Sequence, residues 1–286
     1  MNSWIEISVE LDPRYLEEVS GFLYRLGCSG IHEQDDAFKV YFDKNGWNSD
    51  KLLLIADFLK RINPAFSMYN LHYSDVENQD WTEKWKENFK PLRISGELIV
   101  LPEWETWPPK ENERTLIINP KMAFGTGHHE TSKLILRLLP KYLISGQAVL
   151  DAGTGSGILA IYAAMLGAAR VVAFDNDPIA VENARENFAL NDVQDKIVVF
   201  EGELAQVKDE NFPLILANIN RNVLLQLAQD FYSCATKQGL LILSGLLQED
   251  FELINETYTK KGWRLIDQKQ DGEWLALIFE KSNISV

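Results

Sequence analysis

The chain has 286 residues, 46% of them hydrophobic and 24% charged, with a formal net charge of −14. This is the composition of a folded globular protein of one or two domains, and no stretch of 18 consecutive apolar residues offers a membrane-spanning helix. The acidic balance argues against a surface that tracks nucleic-acid phosphates and favours attraction to a basic macromolecule.

The start, Met-Asn-Ser-Trp-Ile-Glu, has neither a basic nor an apolar leader pattern, so no signal peptide is expected. Ile5, Ile7, Val9 and Leu11 alternate with polar residues, the pattern of a half-buried strand. Pro13 opens a helical pattern with Leu16, Val19, Phe22, Leu23 and Leu26 on one face, ending near Gly27. Strands are expected at 30–33 and 38–42, a helix over 50–61 and a strand over 66–73. That β-α-β-β-α-β order is a ferredoxin-like α+β unit over residues 1–75. It holds no glycine loop and no clustered catalytic residue types, and its acids outnumber its bases, so it reads as a docking surface. Cys28 and Cys234, far apart in sequence, are the only cysteines. They read as small buried hydrophobes in a reducing cytoplasm, with neither a disulfide nor a zinc site expected.

Residues 76–91 read as an amphipathic linker helix, with Trp81, Trp85 and Phe89 at i, i+4 and i+8. Pro91 ends it, and strands follow at 98–101 and 116–118. The segment Asn119-Pro-Lys-Met-Ala-Phe-Gly-Thr-Gly-His-His-Glu-Thr-Ser132 reads as a polar, glycine-punctuated loop running into a helix over 133–139. His128-His129-Glu130 invites a metal reading. Adjacent histidines on an extended segment point to opposite faces and no H-E-x-x-H follows, so no metal is expected. A loop of hydroxyls and amides closing over a cofactor fits the composition better.

From residue 147 the pattern alternates strand and helix, with strands near 148–152, 170–175, 196–200, 213–218 and 239–244. Alternation of this kind implies a parallel sheet covered on both faces. Trp263–Gln270, Asp271-Gly272 and Trp274–Phe279 then read as a hairpin, so the sheet should finish antiparallel. The fold class expected for 92–286 is therefore α/β, Rossmann-like, with a terminal antiparallel hairpin.

Within it, Asp151-Ala-Gly-Thr-Gly-Ser-Gly157 is a glycine turn between a buried strand and a helix N-terminus, where free N–H groups favour polar or anionic ligand atoms. Asp175 stands at the expected end of the next strand, positioned to accept hydrogen bonds from ribose hydroxyls. A dinucleotide fingerprint needs glycine where Ile158 stands. An acid two residues before G-x-G-x-G instead resembles the first motif of class I S-adenosylmethionine-dependent methyltransferases. In such a site Asp151 could meet the amino group of the methionine part, Gly153 and Gly155 the close approach of the ligand, and Thr131 or Ser132 its carboxylate. Phe124 could cover apolar surface. Asp177, before Pro178, is expected to cap the following helix rather than touch adenine.

The Asn-Pro-x-Met-Ala-Phe-Gly-Thr-Gly-His-His-Glu-Thr segment, the glycine turn, Leu216-Ala-Asn-Ile219, the Trp-x-x-x-Trp-Lys-x-x-Phe linker and the small N-terminal unit together resemble the ribosomal protein L-eleven methyltransferase family, over essentially the whole chain. The resemblance implies methyl transfer from S-adenosylmethionine to lysine side-chain or N-terminal amines of one large-subunit ribosomal protein, recognised by residues 1–75. It implies Gly153, Asp175 on the ribose and Asn218 as cofactor residues; Asn218, at the carboxyl end of the fourth strand where ligands gather in open α/β sheets, could also orient the incoming amine. Ser132 departs from the threonine usual in the family, which leaves open whether Thr131 or Ser132 makes the contact, and the role of Arg221 is open as well. No direct nucleic-acid partner and no membrane are expected. The rivals are a methyltransferase of nucleic-acid bases or small amines, a nicotinamide oxidoreductase and a catalytically silent binding module. The acidic balance, Ile158 with the terminal hairpin, and the intact turn with Asp175 argue against them in that order.

Overall fold

Strict alternation along β1 (Trp4–Val9) buries Ile5, Ile7 and Val9 and leaves their neighbours half exposed. The computed structural model describes residues 4–11, 15–33, 37–64, 66–76, 89–108, 110–119, 125–207 and 210–282. Two compact units result, Met1–Asn88 and Phe89–Val286. Their boundary falls within the stretch read as a linker, and the linker helix with Trp81 and Trp85 lies outside the described residues.

In the first unit β1 is followed by α1 (Leu16–Arg25), β2 (Cys28–Glu33), β3 (Phe38–Asp43), α2 (Asp50–Ile62) and β4 (Leu71–Val76). The sheet order is β2-β3-β1-β4 with every neighbour antiparallel, the ferredoxin-like arrangement. One face is buried: the inward residues of β1 and β3 form a core with Val19 and Leu23 of α1 and Ile55 and Leu59 of α2. Phe22 and Phe58 stack at 3.9 Å and join the two helices. The last strand begins at Leu71, not near 66. Asn70 Oδ1 takes the Ser67 N–H and hydroxyl (3.1 and 3.2 Å), closing a short 3-10 turn where an extended run was expected. Such local side-chain bonds compete with the sheet ladder.

The second unit opens with a small sheet of β5 (Leu92–Arg93), β6 (Leu98–Pro102) and β7 (Arg114–Ile118), then α3 (Glu130–Tyr142). Strand and helix alternate after that: β8 (Ala148–Ala152), α4 (Ile158–Met165), β9 (Arg170–Asp175), α5 (Pro178–Leu190), β10 (Ile197–Glu201), β11 (Phe212–Asn218), α6 (Arg221–Cys234), β12 (Ala235–Leu247), α7 (Phe251–Lys260), β13 (Trp263–Asp271) and β14 (Trp274–Lys281). They build a seven-stranded sheet in the order β10-β9-β8-β11-β12-β14-β13, in which β8 to β12 and β13 run in one direction and β14, between β12 and β13, runs against them. The central strands are near-continuous apolar runs because helices cover both faces. Ile135, Ile161 and Phe188 pack on one face, and Leu224, Phe231, Ile254 and Tyr258 on the other. Strand order reverses between β8 and β11, and the crevice beyond the carboxyl ends of strands at such a point is where open α/β sheets bind ligands. Among the described residues no helix is long and apolar enough to cross a membrane.

Candidate functional site

The glycine turn links β8 to α4. Gly157, in the left-handed region at φ 83°, is the residue before the helix, and a Cβ there would strike the Phe188 ring. A Cβ on Gly153 would strike Ile219, so the turn and the β11 loop interlock only because glycine stands there. Gly153 N and Thr154 N both donate to Phe174 O (3.0 Å each), and Gly155 N donates to Asp175 Oδ2 (2.9 Å). Asp175 Oδ1 accepts from Asp177 N at 3.1 Å, and each carboxylate oxygen keeps a second lone pair for a hydroxyl. Asp177 caps α5 by accepting from Ile179 N, with Pro178 in the first helical turn.

Asp151 sits behind this turn rather than in the crevice. It is fully buried, its Oδ2 accepts from Thr154 Oγ1 (2.7 Å) and Ala160 N (3.1 Å), and its Oδ1 has no partner. Desolvation pushes the carboxyl up to about 7, against the Thr154 and Ala160 bonds and helped by the charge of Asp175. Asp151 is not among the residues lining the cavity, in contrast to the direct ligand contact expected from sequence.

The cavity, about 660 Å³, opens at the carboxyl ends of β8 and β11. Gly153, Gly155, Asp175 and Asn218 line it, as do Thr131 and Ser132. These last two lie not in a loop but in the first turn of α3, which starts at Glu130 because His129 caps it: Thr131 N donates to His129 Nδ1 at 3.3 Å. Thr131 Oγ1 and His129 Nδ1 are 2.8 Å apart, while Ser132 Oγ accepts from Asn218 Nδ2 at 3.3 Å. Asn218 Oδ1 is buried and has no partner. Phe124 lies outside the described residues. The two histidines diverge, His128 against the edge of Phe89 and His129 edge-on to Trp274 at 4.7 Å.

Gly202, Glu203 and Leu204 beyond β10, Trp274 at the start of β14, and Val223, Gln226 and Leu227 on α6 also line the cavity and were not foreseen. The 202–204 loop had a signal, since it follows a parallel strand on the side where ligands gather. Trp274 and His129 had none, because only packing brings them together. Arg221 pairs with Asp250 Oδ1 at 2.8 Å.

The site thus offers a glycine cradle beside an acid and, at the end of the neighbouring strand β11, an unpartnered buried amide oxygen. A nucleoside bearing an amino-acid tail fits this donor and acceptor set. Residues 3–282 match the sequence model of the family described as ribosomal protein L11 methyltransferase (PrmA). Similar proteins include the ribosomal protein L11 methyltransferases of Pelobacter propionicus, 36% identical over 98% of both chains, and of Carboxydothermus hydrogenoformans, 33% identical over 97% of this chain and 99% of that one. A solved ribosomal protein L11 methylase from Lactobacillus delbrueckii subsp. bulgaricus superposes with a TM-score of 0.64 at 30% identity, covering 68% of this chain and 100% of its own.

Proposed function

The chain belongs to the ribosomal protein L11 methyltransferase (PrmA) family, and from that premise we propose that it methylates lysine side-chain or N-terminal amines of ribosomal protein L11, in the cytoplasm, with S-adenosylmethionine as methyl donor. Residues 1–75 recognise the substrate protein, 76–91 connect, and 92–286 carry the chemistry. The net charge of −14 suits a basic partner.

Asp175 holds the ribose hydroxyls, Gly153 and Gly155 admit the close approach of the ligand, and the first turn of α3 with Thr131 and Ser132 receives the carboxylate. Asp151 holds the turn in shape from behind. When bound, S-adenosylmethionine supplies a methyl group on a sulfonium whose departure leaves a neutral thioether. The chain's own task is therefore to align an amine in line with that methyl and to receive it uncharged. A lysine with its ordinary pKa of about 10.4 is mostly protonated at neutral pH, so the site must favour loss of that proton.

One observation carries this reading: Asn218 Oδ1, at the carboxyl end of β11, is a buried acceptor without a partner beside the glycine cradle. Left unpaired, such an atom costs about 1–3 kcal/mol. An amine N–H directed to it relieves that cost and points the nitrogen lone pair away from Asn218 into the cavity. Ser132 Oγ, by holding Nδ2, keeps the amide oxygen turned to the substrate.

The test is a pH–rate profile with tritiated cofactor on purified ribosomal protein L11, followed by peptide mapping. Label on lysine or the α-amine is expected, with a rate that rises with pH until deprotonation no longer limits it. Label on glutamine, arginine or RNA would overturn the reading.

A further inference from the structure

Three asparagines at i, i+4 and i+8, Asn183, Asn187 and the α5 cap residue Asn191, face the free edge of β7. Asn191 pairs with both backbone groups of Ile117, accepting from its N–H at 2.8 Å and donating to its carbonyl at 2.6 Å. Two residues on, Asn183 donates to the Asn119 carbonyl at 3.1 Å and Asn187 Oδ1 accepts from the Asn119 N–H at 2.8 Å. The steps match: four residues of helix rise about 6 Å and two residues of strand about 6.6 Å, so side-chain amides stand in for a missing neighbouring strand.

Asn187 departs from the pattern in one respect. Its Nδ2 does not return to the strand but donates to the Ser156 carbonyl, inside the glycine turn, at 2.8 Å. Ser156 Oγ in turn donates to the Gly125 carbonyl at 2.5 Å. Asn187 and Ser156 are both fully buried. The pair therefore ties Asn119 and Gly125, the residues that flank 120–124 in sequence, to the turn that forms the floor of the cavity. Gly125 itself lines that cavity.

We propose that Asn187 is a positioning residue for cofactor binding: through Ser156 it sets the distance between the glycine turn and the segment leading to α3. This rests on the cofactor reading above. Asn187 touches no part of the cavity, so it acts on affinity by holding two walls in register. Asn191 is the internal control, because it caps the same helix at the same strand edge and its bonds go to Ile117 and to the Asn187 backbone carbonyl (2.7 Å), none to the turn.

The experiment measures S-adenosylmethionine affinity by calorimetry, the cofactor KM and kcat, and Tm, for the full chain and for Asn187→Ala, Asn191→Ala and Ser156→Ala. Asn187→Ala is expected to raise Kd and KM by about tenfold or more, with kcat at saturating cofactor within about twofold, since a tenfold change needs only one good hydrogen bond. Ser156→Ala should shift Kd in the same direction, whereas Asn191→Ala should lower Tm and leave Kd within about twofold. If Asn187→Ala does not fold, Asn187→Asp, which keeps the acceptor for the Asn119 N–H and removes the amide donor to the Ser156 carbonyl, decides together with Ser156→Ala. An unchanged Kd in every folded variant of the Asn187–Ser156 pair, or an equal rise in Asn191→Ala, overturns the proposal. Absence of binding by the unaltered chain would instead overturn the cofactor reading.

Discussion

One part of the cavity lining comes chiefly from one stretch, from the glycine turn to Asn176, joined by the 202–204 loop; another is gathered from distant segments, His129 and Ser132, Asn218 and Trp274. The first part spends its polar groups on itself: Gly155 N meets Asp175, Gly153 and Thr154 meet Phe174 O, and its one orphan side-chain atom, Asp151 Oδ1, lies behind the turn. The second part leaves Asn218 Oδ1 buried and unpartnered. A self-satisfied turn is shaped before anything binds. On the function proposed above, the first part holds the cofactor and the second meets the acceptor amine in passing.

The most drastic separation of the two is removal of the N-terminal unit. A chain beginning at Asp80 is expected to bind S-adenosylmethionine normally and to methylate intact ribosomal protein L11 at background level. Normal efficiency on the intact substrate would show that recognition lies elsewhere. Asp175→Ala attacks the first part of the lining alone. Loss of the ribose hydrogen bonds should weaken cofactor binding by about 2–4 kcal/mol, read by calorimetry with native circular dichroism retained. Undiminished affinity would remove Asp175 from the site.

Asn218→Ala attacks the second part. It should lower kcat by an amount equivalent to about 1–3 kcal/mol while cofactor affinity stays within about twofold. A change in affinity without a change in kcat would move Asn218 to the cofactor side of the comparison. The smallest effect on turnover is expected for Asp151→Asn, whose amide oxygen keeps the bonds from Thr154 and Ala160. Its signature is pH dependence. The folded carboxyl titrates at about 7 against an ordinary 3.8, so between those values the folded chain retains a proton that the unfolded chain has released. Stability is therefore lost as pH rises through that window. Relative to Asp151→Asn, the unaltered protein should lose several degrees of Tm between pH 5 and pH 8. Parallel Tm curves for the two would mean that Asp151 is not held up by burial.

Features governed by neighbours in sequence were legible before the structure. Alternation places β1, the Asp271-Gly272 pair places the hairpin, and the G-x-G-x-G turn with Asp175 places one part of the cavity lining, because strand period, turn chemistry and helix caps are local physics. Where local signals conflict, the reading slips. The expected start of α3 at Lys133 misses the true one at Glu130 because its cap is the imidazole of His129, outside the usual capping residues. The strand expected from Phe66 is displaced by the Ser67–Asn70 turn. Asp151, four residues before Gly155 in a motif that suggests ligand contact, faces the helix it anchors, since α4 presents Ala160 N to it. The rest was decided by tertiary structure alone. Strand order sets β8 beside β11 and β14 beside β12, and that order, not any spacing in the chain, brings Trp274 to His129, Ser132 to Asn218 and three asparagines of α5 to the edge of β7. Side chains converging from distant segments leave no periodic trace, because what selects them is the packing of whole elements against one another.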